Sequence, residues 1–361
     1  MSAACAGAIG ALDGDLGLLV AFTSEIEDAG RAAAELASAA GDAPAVGMSG
    51  KGIFTANNPL DDGCAVVAFD RSTEAGVGVA RDAAEDFRGA ALRAATEAVE
   101  GISGPANLMM LFVDARAGDL ADAIAGAFEV CGPDVPLAGG ASGGPHPVQF
   151  AQGEALRDAI VAVAVRSDRR IGVGNAHSCS IVGEPAVVTR SNENVIEEIG
   201  GRPAAEVYVE RVGGRADISE EAFEGMAITH PLAQPESHGN RRLRHVRGRT
   251  PEGGLLCSTQ IAVGATIEFT VLSLEELIHS ASHSARSALE ALGTEPGAAL
   301  LFDCAGRRKV LGHGQAQEVK AITETFGGEM PLAGLYTDGE IARINGPQGD
   351  FNHAVVSVTF G

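Results

Sequence analysis

Apolar residues in this chain gather in short uninterrupted runs. Leu16 to Phe22, Asn107 to Val113 and Ala298 to Phe302 are each followed by an alanine-rich or amphipathic segment and then by a glycine-rich loop. A further apolar run closes each group, at Cys64 to Phe69, Ala159 to Val165 and Ala354 to Phe360. Runs of this length bounded by Gly and Pro predict buried strands, and the segments between them have helical spacing. The loops Pro44 to Gly52, Pro136 to Gly144 and Pro331 to Ile341 share a proline, two small or apolar residues and a glycine. The pattern predicts three strand–helix–strand–strand units of roughly 50 to 65 residues, a period typical of repeated supersecondary units. The expected fold class is mixed α/β, with mixed or antiparallel sheets flanked by helices.

Outside these repeats, Ser24 with Glu25 and Glu27 predicts a helix start, the helix running through Ala40. Asp82 to Val99 and Leu277 to Leu292 read as helices, Val187 to Thr189 as a strand, and Pro203 opens a further helix. Leu255 to Leu274 predicts two strands about Gly264. Arg211 to Gly254 is the least regular part and is expected to hold the boundary between two domains, 1–212 and 213–361.

The charge balance narrows the function. Against 48 Asp and Glu stand 26 Lys and Arg, of which only Lys51, Lys309 and Lys320 are lysines. So negative a surface argues against nucleic-acid binding. With abundant Ala and Gly and no Trp, it fits a protein adapted to high salt, which screens self-repulsion. Six cysteines are scattered singly, without metal-ligand spacing or the density of a disulfide scaffold, so a reducing cytoplasm is expected. No basic segment with a long apolar stretch opens the chain, and no run reaches the roughly 20 residues of a membrane helix. No membrane association, metal or cofactor is expected.

Four local patterns carry candidate chemistry. Gly140-Ala141-Ser142-Gly143-Gly144 matches the nucleophile-elbow spacing, but Pro145 and Pro147 argue against the helix that an elbow needs after its serine. His177 and Cys179 share a face in an extended segment, two ligands short of a metal site. Arg241 to Arg249 is a basic cluster in an acidic chain, and pairing with the protein's own carboxylates explains it more economically than a ligand does. His279 and His283 lie one helical turn apart without an acidic partner between them.

Cys304-Ala305-Gly306-Arg307 and Pro331-Leu332-Ala333-Gly334-Leu335-Tyr336-Thr337-Asp338-Gly339-Glu340-Ile341 resemble the Cys-x-Gly-Arg and Gly-Phe-Tyr-x-x-Gly-Glu-Ile patterns of FIST proteins. These are sensory modules with an N-terminal and a C-terminal FIST domain. Gly183 through Val188-Thr189 to Pro203-Ala204 and Tyr208, with Val46-Gly47-Met48-Ser49, are similar to the N-terminal domain. Two segments depart from the pattern: Gly47 to Gly52 lacks the usual threonine and glutamate and carries Lys51, and Asn352-His353 reverses the usual order.

The resemblance implies a signal-input protein that binds a small ligand such as an amino acid and communicates with a signalling partner. On that reading Arg307 pairs with a ligand carboxylate; the alternative is that it pairs with Glu340 inside the fold. Glu340 takes an ammonium, Tyr336 and Thr337 supply directional hydrogen bonds, and Gly139 and Gly339 permit close backbone approach. Gly47, Ser49, Ser142 and His353 complete the candidate pocket. Two alternatives stay open. One is an enzyme with Ser142 or Cys304 as nucleophile and His146, His177 or His353 as base. The other is an interaction adaptor without a ligand.

Overall fold

The computed structural model describes residues 1–215, 217–236, 241–328, 330–344 and 349–361. The three predicted units are present and share one topology. In the first, Leu16–Thr23 runs parallel to Ala45–Ser49 and antiparallel to Cys64–Asp70. In the second, Leu108–Asp114 is parallel to Leu137–Ser142 and antiparallel to Ala159–Ser167. In the third, Ala298–Cys304 is parallel to Leu332–Thr337 and antiparallel to Val355–Phe360.

Parallel neighbours need a long crossover, and a helix supplies it each time. The crossovers are Ala29–Ala40, Leu120–Cys131 and the pair Ala305–Leu311 and Gln315–Thr325. The first helix starts later than the sequence suggests. Asp28, not Ser24, caps it by accepting from the Arg31 N–H, because the Ser24 hydroxyl is already bonded to Gly63.

The chain leaving each second strand forms a short arm that pairs with another unit. Ile53–Thr55 adds to Leu332–Thr337 of the third, Gln149–Ala151 to Ala45–Ser49 of the first, and Glu340–Arg343 to Leu137–Ser142 of the second. The exchange is cyclic and covers one edge of every parallel pair, an edge that would otherwise offer unpaired backbone.

The opposite edges of the second and third sheets carry Thr73–Arg81 and Ile171–Ala176. Each has a Gly-Val-Gly pair facing a long helix. A Cβ at Gly78 would lie 2.0 Å from the Ala94 carbonyl oxygen, and one at Gly174 2.3 Å from that of Ser284. The missing side chains let Phe87–Glu100 and Leu274–Leu292 press onto their sheets.

The three sheets turn their inner faces to one core. Phe22, Phe112 and Phe302, equivalent residues of the three units, are buried and meet with ring centroids 5.3 to 6.1 Å apart. A fourth sheet lies between Ile171–Ala176 and Leu274–Leu292 in the chain, with its own core around Tyr208, Phe223 and Phe269. Leu255–Cys257 and Thr266–Val271, the two strands expected about Gly264, belong to it. It is fastened to the three-unit body by Arg242 and Arg244, whose guanidiniums reach Asp350 at 3.0 and 2.5 Å. The architecture is mixed α/β, with mixed and antiparallel sheets flanked by helices.

Candidate functional site

The carboxyl ends of the parallel strand pairs are equivalent positions, and ends of this kind are where open α/β sheets hold ligands. Their closing residues are register partners: Thr23 with Ser49, Asp114 with Ser142, Cys304 with Thr337. Two serines are engaged by the same stretch of backbone. Ser49 Oγ accepts from the Val148 N–H at 3.0 Å, and Ser142 Oγ donates to the Val148 carbonyl at 3.1 Å. Ser142 therefore ends a strand and is buried in a hydrogen bond, with no helix directly after it.

The third end opens on a cleft of about 300 Å³ between the third unit and the fourth sheet. Cys304, Gly306 and Thr337 form part of its wall, and His245 and Arg247 of the fourth sheet face them. Lys51, Arg116 and Lys309 also line it. Two of the chain's three lysines thus converge on one cleft of a protein with net charge −22. Lys51 Nζ lies 2.6 Å from an Asp338 carboxylate oxygen. Arg247 and Lys309 are exposed and, among the described residues, make no ion pair.

Beneath the wall lies a fully buried polar layer. Glu340 accepts from the Thr337 hydroxyl at 3.1 Å and from the Ala354 N–H at 3.3 Å. Burial pushes its carboxyl well above the ordinary range. Cys304 is 7% exposed; burial and the Glu340 charge push its thiol up, against the pull of backbone N–H groups of His353, Arg307 and Gly306. His353, held at φ 55°, is buried, and His245 Nδ1 lies 3.2 Å from its Nε2. Burial holds His353 well below the usual imidazole range and His245 down to about 4, with Arg247 reinforcing the latter.

Arg307, expected to grip a ligand, is fully buried, and its donors are occupied within the fold. Nε reaches Asp303 Oδ1 at 2.9 Å and one terminal nitrogen reaches Ser280 Oγ at 2.9 Å; the other pairs with Glu318 and with the Leu277 carbonyl at 2.9 Å. It does not line the cleft, nor does it hydrogen-bond Glu340. Tyr336 is buried beneath Arg308, whose guanidinium carbon lies 5.0 Å from the ring centroid. Gly47 and Gly139 sit inside strands where a Cβ would strike the carbonyl oxygens of Ala21 and Leu111 at 1.9 and 2.0 Å. Gly339 makes room for Leu120, 2.6 Å from where its Cβ would be. The structure therefore brings Thr337, Glu340 and His353 together at the cleft and leaves Gly47, Ser49, Gly139 and Ser142 in the first two units.

His245, Arg247 and Lys309 escaped sequence reasoning as one group. The rarity of lysine was the available signal, and it drew notice to Lys51 and Lys309 without linking them. The remaining arginines of the basic cluster pair with the protein's own carboxylates: Arg241 with Glu268, Arg244 with Asp350, Arg249 with Glu220.

The repeated α/β body carries a polar cleft at a strand-end junction, the kind of place where proteins commonly hold ligands. Family models for the FIST N domain and the FIST C domain match residues 17–202 and 204–343, so the chain belongs to the FIST family. FIST domains are generally sensory, signal-transduction domains. The uncharacterized protein Rv0628c of Mycobacterium tuberculosis is 30% identical over 207 residues, 55% of this chain and 52% of its own length. The uncharacterized protein Mb0898c of Mycobacterium bovis is 30% identical over 203 residues, with the same coverage. The chain thus spans about half the length of these curated relatives. Among solved structures, Thermotoga maritima PurL complexed with ATP covers 80% of this chain and 71% of its own, with 9% identity and a TM-score of 0.27. That likeness is too low to carry any argument here.

Proposed function

We propose that the protein is a small-ligand sensor whose ligand carries a carboxylate, an amino acid being the simplest fit, and whose pocket is the cleft at Cys304 and Thr337. Lys309 and Arg247 would hold the carboxylate, and Asp338, already opposed to Lys51, offers an acceptor for an ammonium. Thr337 supplies the wall beside the ligand, and Glu340 holds the Thr337 hydroxyl from below. Arg307 is a structural member of the site that fixes the strand end from behind. The convergence of unpaired cations on one cleft of an acidic chain carries this reading, since such a cleft concentrates anions locally. A signalling partner would read the fourth sheet, which forms one wall of the cleft. All six cysteines are free, which suits the reducing cytoplasm we assign. Among the described residues no helix is long and apolar enough to cross a membrane.

Calorimetric titration of the full chain with amino acids and small carboxylates tests the reading. Saturable binding that weakens by about tenfold in Lys309→Ala or Arg247→Ala, roughly 1.4 kcal/mol, supports it. Binding indifferent to both substitutions, or no binding by any compound, counts against it.

A further inference from the structure

Cys304 is the residue of the cleft wall that the sensor reading leaves without a task. Its equivalents in the other units, two residues after Phe22 and Phe112, are Ser24 and Asp114, so neither the strand end nor its register requires a thiol. Glu340 is equally unexplained by the fold. Its two hydrogen bonds come from neutral donors, Thr337 and Ala354, at 3.1 and 3.3 Å. Burying a carboxyl without a hydrogen-bonded cation is costly, and local costs of this kind gather at functional sites.

A second observation concerns His353. Its Nδ1 has no hydrogen-bond partner, although the side chain is fully buried. A Cβ at Gly306 would lie 3.3 Å from that nitrogen and 3.4 Å from Cys304 Sγ. The unpartnered nitrogen and the sulfur therefore flank the same gap, which only a glycine leaves open, and Gly306 lines the cleft. Lys309 and Arg247 line the same cleft. The surroundings of the sulfur combine an imidazole with a free nitrogen, a buried carboxyl and a cationic approach.

We propose that Cys304 captures a small electrophilic carboxylate covalently in this cleft. With an aldehyde acid such as glyoxylate, a sulfur lone pair forms the C–S bond and the carbonyl π pair moves onto oxygen. The thiol proton passes to the unpartnered Nδ1 of His353, which gives one up through His245 to solvent, and the new alkoxide takes a proton from solvent in exchange. The product is a hemithioacetal; nothing is oxidised, nothing leaves, and the step reverses. Lys309 and Arg247 hold the carboxylate so that the carbonyl carbon faces Sγ. The inference rests on the same cleft as the sensor reading but adds a bond that amino-acid binding does not need.

The test uses the native full chain with iodoacetate and, separately, iodoacetamide, followed by peptide mass mapping. In both reactions a C–S bond forms, the C–I bond breaks and iodide leaves. Half-buried Cys64 is the internal reference. We expect the iodoacetate-to-iodoacetamide rate ratio at Cys304 to exceed that at Cys64 by about tenfold or more, the size of a local charge effect. The excess should vanish in Lys309→Ala and Arg247→Ala, both surface substitutions. Glyoxylate should slow labelling of Cys304 and leave Cys64 unchanged, and His353→Asn, if its melting point is kept, should slow Cys304 with either reagent. Cys304 unlabelled in the native fold, or a ratio equal to that of Cys64, overturns the proposal. If calorimetry still shows carboxylate binding, covalent capture alone has failed; if the charge variants alter neither binding nor labelling, the cleft reading fails with it.

Discussion

Arg307 shows how a residue can carry a site without touching a ligand. One guanidinium is held between two buried carboxyls, Asp303 and Glu318, and burial with the Glu318 charge pushes Asp303 toward its neutral form. Removing the cation leaves the carboxyls uncompensated. Arg307→Ala should therefore destabilise the fold by about 3 to 5 kcal/mol, read as a lower urea midpoint. A variant that keeps its midpoint and loses only affinity would return Arg307 to the ligand. The histidines make a second prediction. His245 titrates near 6.5 when unfolded and at about 4 when folded, so the fold prefers it neutral. That contribution is complete above about pH 6.5 and is lost as pH falls toward 4, because the unfolded chain then binds the extra proton. His245→Gln should lose less stability than the parent between pH 7 and pH 5; an equal loss in both would refute the assignment.

At the scale of elements, the glycine pairs decide how closely helix and sheet approach. Gly78→Ala would place a methyl carbon 2.0 Å from the Ala94 carbonyl oxygen. Phe87–Glu100 must then lift from its sheet, at about 1 to 3 kcal/mol. A melting point unchanged by the substitution would show that the helix moves freely. The strands of the three units were legible in the sequence because each is a continuous apolar run between turn residues, and the crossover helices because their spacing changes period. The exchanged arms were not. Ile53–Thr55 and Glu340–Arg343 are three- and four-residue strands, and their partners Leu332–Thr337 and Leu137–Ser142 lie far away in the chain, so no local pattern announces the pairing. The helix start moved from Ser24 to Asp28 for a similar reason, since Ser24 is claimed by a distant strand end.

At the scale of the whole molecule, three units close around Phe22, Phe112 and Phe302, and the fourth sheet turns one of three equivalent strand ends into a cleft. Cys304, Thr337 and Glu340 could be found as candidates because they fall in the two motifs that carry the family resemblance. His245, Arg247 and Lys309 could not, because only folding brings the fourth sheet and the helix Ala305–Leu311 together. The −22 net charge yields a further expectation. Screening should relieve self-repulsion, so the melting temperature should climb between low and molar salt; a flat profile would contradict high-salt adaptation. The claim that matters most is that the cleft binds a carboxylate. A thermal-shift comparison in which a compound at about 100 times its Kd stabilises the parent by roughly 2.7 kcal/mol tests it directly. The Lys309→Ala, Arg247→Ala double variant should lose this shift. Lys320→Ala, which removes the remaining lysine, paired with Glu324 on a helix away from the cleft wall, should keep it. A shift that survives the double variant, or disappears with Lys320, would contradict it.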